Sequence, residues 1–200
     1  MDTSGIICGL DEAGRGPLAG PVCAAAVILG RDFPSSLLND SKKLSPAARE
    51  EARLAICSSA LAWGIGWASA EEIDEINIHK ASLLAMKRAF NEMASLCERN
   101  NAVELRNCRA IVDGLFAPDI GVPCEPLVKA DSLVSEVMAA SILAKTARDR
   151  MMEYYSLFCP GYGYEKHKGY PTKAHREAIL RHGPSAIQRM SFSKDLLASC

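Results

Sequence analysis

Residues 6–29 read IICGLDEAGRGPLAGPVCAAAVIL, and this stretch decides the fold. Ile6 to Leu10 is small, apolar and β-compatible, and Val22 to Leu29 is a second such run. Gly14, Gly16, Pro17, Gly20 and Pro21 punctuate the turn between them, which makes an antiparallel hairpin with an elaborate loop. Downstream, Ser45 can cap a helix over Pro46 to Ala60 with Pro46 at its first position, and that helix leads to a third strand, Ala62 to Ala68. The spacing of Leu83, Leu84, Met86, Ala89, Phe90, Met93 and Leu96 predicts an amphipathic helix over Ile78 to Arg99.

Arg109 to Gly114 and the weaker Glu125 to Val128 complete the strands, ahead of a long helical pattern from Ser132 to Tyr155. Helices separate the later strands at crossover length, so these pair in parallel, whereas the tight first connection gives an antiparallel pair. The expectation is an α/β fold: a mixed five-stranded sheet flanked by helices over residues 1–157. A C-terminal helical and loop extension without a sheet follows over residues 158–200.

Composition supports this class. With 200 residues, 48% hydrophobic, and only 14 Gly and 10 Pro, the chain can bury a core and is not disordered, collagen-like or a coiled coil. Val22 to Leu29 and Leu133 to Ala144 are too short or too interrupted to span a bilayer, which takes about 20 apolar residues. The N-terminus carries no signal-peptide pattern, so a cytoplasmic location away from membranes is expected. The 8 cysteines include no CxxC pair, and reduced thiols filling small apolar spaces are expected.

A net charge of −1 looks unfavourable for a nucleic-acid binder, but it conceals a division. Residues 142–200 hold ten Lys or Arg against five acids, leaving the first 141 residues with a net −6. Tyr154, Tyr155, Phe158, Tyr162, Tyr164 and Tyr170 lie among those basic residues, the mixture a surface for phosphates and sugars requires.

The acids are placed for chemistry. Asp11 and Glu12 follow an apolar strand with only Arg15 near in sequence, and burying such a pair uncompensated is costly. Asp113 ends the apolar strand Ile111-Val112, and Asp131 stands between a strand and the long helix, the places where an α/β sheet gathers functional groups. Hard oxygen ligands without a His or Cys cluster point to Mg²⁺ or Mn²⁺ rather than Zn²⁺. Two such ions can hydrolyse a phosphodiester. Consecutive strand residues face opposite ways, so the strand is expected to end or twist at Asp11 and Glu12, which Gly14 and Gly16 permit.

The segment Asp11 to Val22 resembles the opening signature of bacterial ribonuclease HII. Asp40-Ser41-Lys42-Lys43-Leu44-Ser45, Asp113-Gly114, Lys129-Ala130-Asp131-Ser132, Ala139 to Lys145, Gly161 to Tyr164, His167 to Thr172, His182 to Ser185 and Ser191-Phe192 resemble that family in the same order. The resemblance implies a ribonuclease H-like fold. It also implies an endonuclease, expected to be monomeric, that cuts the RNA strand of RNA/DNA hybrids and acts at single ribonucleotides embedded in duplex DNA.

It puts Asp11, Glu12, Asp113 and Asp131 in the catalytic set, holding two Mg²⁺ or Mn²⁺ ions. Gly14, Arg15 and Gly16 would contact the ribose 2′-OH, Tyr170 would press on the adjoining sugar, and Lys42, Lys43 and Lys145 would bind substrate. The extension would pack on the catalytic domain and contact substrate. His167, His175 and His182 lack Zn²⁺-ligand spacing and are expected to be structural or near phosphate. The chain departs from the family at Ala186 to Phe192, a less basic stretch than is usual before Ser-Phe. Arg15 also differs from the Lys of ribonuclease HIII. Two competing readings are a nucleotide phosphotransferase on a related fold, which the missing GxxxxGK[ST] pattern disfavours, and a non-catalytic hybrid-binding module.

Overall fold

The computed structural model describes residues 5–38, 44–100 and 103–198. Five strands, β1 (Ile6–Ala13), β2 (Val22–Ile28), β3 (Ala62–Ala68), β4 (Cys108–Asp113) and β5 (Cys124–Leu127), form one mixed sheet in the order β3-β2-β1-β4-β5. β2 runs antiparallel to both neighbours, whereas β1, β4 and β5 are parallel. The carboxyl ends of those three strands therefore point the same way, and the site is built there.

Six helices follow in chain order: α1 (Pro46–Ser59), α2 (Ala70–Asn100), α3 (Ser135–Phe158), α4 (Tyr164–His167), α5 (Lys173–His182) and α6 (Met190–Leu197). Every residue of β2 is buried, so both sheet faces must be covered there. On one face Val22, Ala24 and Ala26 meet Ala85, Ala89 and Met93 of α2. On the other, Cys23, Ala25 and Val27 meet Ala139, Ala140 and Leu143 of α3, with Ile56 of α1. The small side chains let the helices lie close: a Cβ on Gly66 of β3 would stand 2.1 Å from the Ala85 carbonyl oxygen of α2.

The elements differ from the sequence reading in three places. β1 continues to Ala13, so the strand does not end before its two acids. α2 begins at Ala70 but breaks at Asn77 (φ 68°), whose side-chain oxygen accepts from the N–H groups of His79 and Lys80. That second cap is why periodicity starts at Ile78. Ahead of α3, Ala130–Ser132 is a 3-10 turn entered from Lys129 in the left-handed region (φ 62°), and α3 proper starts at Ser135.

Beyond α3 the chain forms helices and loops that meet the hairpin loop, α3 and the start of α2. Ala19 makes a single bridge to Gln188, and Ala19, Met152 and Tyr164 form a small core of their own. Among the described residues no helix is long and apolar enough to cross a membrane.

Candidate active site

The register of β1 on β4 ends at the pair Leu10–Val112. One residue further, Asp11 and Asp113 stand close enough to repel, and Glu12 shares that field. β1 goes on pairing with β2 as far as Ala13 after losing β4, so the sheet opens on one side of its central strand. This opening, rather than an end to the strand, gives Asp11 and Glu12 access to one cleft.

The cleft, about 460 Å³, is lined by Asp11, Glu12, Gly14, Arg15, Gly16, Asp113, Ser141, Lys145 and Tyr170, together with Ala13. Burial pushes the Asp11 carboxyl well above its usual range, with the negative charges of Glu12 and Asp113 adding to it and a hydrogen bond from Ser141 opposing. Burial also raises Glu12, against the opposing hydrogen bond and charge of Arg15. The Arg15 guanidinium donates to Glu12 Oε1 at 3.0 Å, while Glu12 Oε2 is buried with no hydrogen-bond partner. Such an atom in a crowd of carboxylates is a place for a cation.

Asp113 Oδ1 accepts from the Ala130 N–H at 2.8 Å, which ties the 3-10 turn bearing Asp131 to the end of β4. Asp131 is buried on that turn but does not line the cleft. Among the described residues, no three His, Cys, Asp or Glu side chains converge as they stand on one metal position. As they stand, Glu12 accepts from Arg15 and Asp113 from the Ala130 N–H. The donor chemistry and the orphaned Oε2 still fit a hard divalent cation.

The two glycines of the Gly14-Arg15-Gly16 loop have different causes. Gly14 has φ 95° and a Cβ there would stand 2.2 Å from Nε of Arg148, so the protein itself requires glycine. At Gly16 a Cβ would meet only Tyr170 Cε1, at 3.7 Å, so nothing within the chain excludes it. The absent side chain leaves room on the cleft side. Tyr170 is 41% exposed beside it, and is not a core residue.

A family model described as Ribonuclease HII matches residues 8–195. The chain belongs to the ribonuclease HII family. The Ribonuclease HII of Treponema denticola is 57% identical over 194 residues, which cover 94% of this chain and 98% of that protein. The solved ribonuclease H2 of Pyrococcus horikoshii OT3 superposes with a TM-score of 0.74 at 22% identity, covering 97% of this chain and 98% of that one. A ribonuclease HIII (Bst-RNase HIII) solved in complex with Mn²⁺ gives a TM-score of 0.72 at 20% identity over 98% of this chain and 70% of that one. The fold expected of a ribonuclease HII is thus present, and membership makes the chain an endoribonuclease of RNA/DNA hybrids.

Several expectations for this ribonuclease HII change in detail. Lys42 and Lys43 lie outside the described residues. Lys145 lines the cleft and is paired with Asp149 at 2.8 Å. The basic C-terminal surface is smaller than the count of charges suggests, because Arg148 and Arg189 are buried, at 1% and 0% exposure, and Lys168 pairs with Glu153. Tyr164 is a core residue and the Tyr162 hydroxyl donates to the Gly183 carbonyl, so of the six aromatics only Tyr170 lines the cleft. The sequence reading of site residues passed over Ser141, whose signal is a lone hydroxyl in the apolar run Ala139 to Ala144.

Proposed function

We propose that this ribonuclease HII nicks duplex DNA on the 5′ side of a single ribonucleotide and cuts the RNA strand of longer hybrids, leaving 3′-OH and 5′-phosphate ends. One observation carries the reading: a buried, mutually repelling carboxylate cluster with an unpartnered Glu12 oxygen shares a cleft with the Gly14-Arg15-Gly16 loop and Tyr170.

Asp11, Glu12, Asp113 and Asp131 would hold two divalent ions, Mg²⁺ or Mn²⁺. When bound, these supply the Lewis acidity that phosphodiester hydrolysis needs at the attacking and leaving oxygens. The rest falls to the chain. Ser141 fixes the Asp11 carboxylate by its hydrogen bond, and the Ala130 N–H fixes Asp113. Arg15 holds Glu12 until substrate and cations arrive, and is then free to face a phosphate. Gly14, Arg15 and Gly16 bring backbone polar groups against the ribose, whose 2′-OH distinguishes RNA from DNA, and Tyr170 abuts the sugar across Gly16. Lys145 would meet the phosphates from α3, Lys42 and Lys43 would add further phosphate contacts, and the C-terminal extension would contact substrate through Tyr170.

The test is a DNA duplex with one ribonucleotide, incubated with Mg²⁺ or Mn²⁺. The expected product is one nick 5′ to the ribonucleotide, absent with Asp11→Asn. An intact duplex, or undiminished cutting by the variant, overturns the reading.

A further inference from the structure

We propose that Arg189 is a positioning residue for ribose recognition, gripping the Gly14-Arg15-Gly16 loop from behind, and that Asp74 holds Arg189 in place. The proposal rests on the reading that this loop contacts the ribose. Arg189 is fully buried, and its guanidinium donates to four carbonyls of the hairpin loop: Gly14 (2.6 Å), Arg15 (2.9 Å), Pro17 (2.9 Å) and Gly20 (2.8 Å). A planar fork of five N–H donors can satisfy four divergent acceptors at once, which an ammonium cannot do in the same geometry.

The consequence for the cleft follows from peptide planarity. No peptide bond in the described residues is cis, and in a trans peptide the N–H points opposite to the preceding C=O. With the Gly14 and Arg15 carbonyls drawn onto the guanidinium, the N–H groups of Arg15 and Gly16 turn away from it, on a loop segment that lines the cleft. Neither N–H donates to another described residue. Two adjacent donors are thereby aimed outward by one buried cation that never meets the substrate.

Arg189 is itself fixed from both sides along the chain. Its own N–H donates to the Leu18 carbonyl at 2.8 Å, as does the Gln188 side chain. Immediately after it, Asp74 at the start of α2 accepts from the N–H groups of Met190 (2.7 Å) and Ser191 (2.9 Å) and from the Ser191 hydroxyl. Phe192 packs its ring against the guanidinium, 5.4 Å from centroid to Cζ. The less basic stretch Ala186 to Phe192 therefore acts on the loop rather than on phosphates.

The test compares wild type, Arg189→Lys and Asp74→Ala by fluorescence anisotropy in EDTA, on two duplexes of one sequence, all-DNA or carrying one ribonucleotide. The readout is the ratio of their dissociation constants. For Arg189→Lys we expect the preference for the ribonucleotide to fall roughly tenfold, the order that losing hydrogen bonds from two N–H groups brings, with all-DNA affinity retained. Asp74→Ala should lower it in the same direction by less.

A merely structural role would weaken both duplexes together through lost folded protein, leaving the ratio unchanged. An unchanged ratio in folded Arg189→Lys overturns the proposal. If that variant does not fold, an unchanged ratio in Asp74→Ala does so. Wild-type protein with no preference, or one that cuts no RNA-containing duplex with Mg²⁺ or Mn²⁺, instead overturns the reading of the loop itself.

Discussion

Two sets of buried charges lie on opposite sides of the hairpin loop, and they are treated in opposite ways. In front, Asp11, Glu12 and Asp113 crowd together, with a Glu12 oxygen lacking any partner. Behind, Arg148 and Arg189 are more deeply buried, yet between them they donate to seven main-chain carbonyls. Burial and the neighbouring Arg148 push Arg189 down to about 9, which still leaves it charged at neutral pH. A buried polar atom without a partner is costly, so the retention of Glu12 Oε2 marks a place where something else binds. A buried charge saturated with hydrogen bonds marks a joint in the scaffold.

The largest effect that would sharpen this contrast is on the unsatisfied side. Asp11→Asn should lower cleavage by several kcal/mol of lost transition-state stabilisation, roughly 10³-fold or more. The same change removes one of the repelling charges and should raise stability by about 0.5 to 2 kcal/mol. Activity measured beside a thermal melt checks both signs, and a variant that melts earlier than wild type would break the comparison. On the satisfied side the order reverses. Arg148→Met leaves the carbonyls of Ala19, Pro21 and Lys168 without their donor. It should cost roughly 3 kcal/mol or more, at about 1 to 3 kcal/mol per orphaned acceptor. For a chain of this length that is a fall of at least about 6 °C in Tm.

The sheet was legible because its strands are short apolar runs between Gly, Pro and helix caps, and β2 and β3 fall where Val22-Cys23 and Ala62-Trp63 place them. Asp11 and Asp113 could be placed together because each stands at the carboxyl end of such a run, whereas Asp131 lies on the turn beyond β5 and does not line the cleft. The opening of the cleft was not, since it depends on where β4 leaves β1, a register that neither strand encodes alone. Arg148 and Arg189 were misread as surface charge because a buried arginine and an exposed one have the same local signature. Only the carbonyls that a distant loop brings to them distinguish the two.

The two loop glycines carry the comparison into one segment. Gly14→Ala meets the Arg148 side chain and a φ of 95°, and should cost about 1 to 3 kcal/mol. Gly16→Ala meets no obstacle inside the chain, so its effect on stability should stay within about 0.5 kcal/mol while cutting at a single ribonucleotide falls. Melts and initial rates on both variants check this, and a Gly16→Ala protein of full activity would show that the space is not used.

The smallest effect concerns how Tyr170 is held. His175 is fully buried, its Nδ1 lies 3.0 Å from the Tyr170 carbonyl oxygen, and its Nε2 has no partner. His167 stacks on it at 4.5 Å, and the Tyr164 ring meets it edge-on. Burial is the main cause holding the His175 pKa below its ordinary 6.5, with the Tyr170 hydrogen bond opposing. The folded protein therefore holds this proton less tightly than the unfolded chain, which takes one up as the pH falls through 6.5. Below that value the unfolded state binds more protons, so the contribution of His175 is complete above pH 7 and is lost on acidification. Tm should fall more steeply between pH 7.5 and 5.5 for the wild type than for His175→Gln, which has no proton to take up. Parallel slopes would mean that the ring takes up its proton in place, with the Nδ1 hydrogen bond to Tyr170 unchanged.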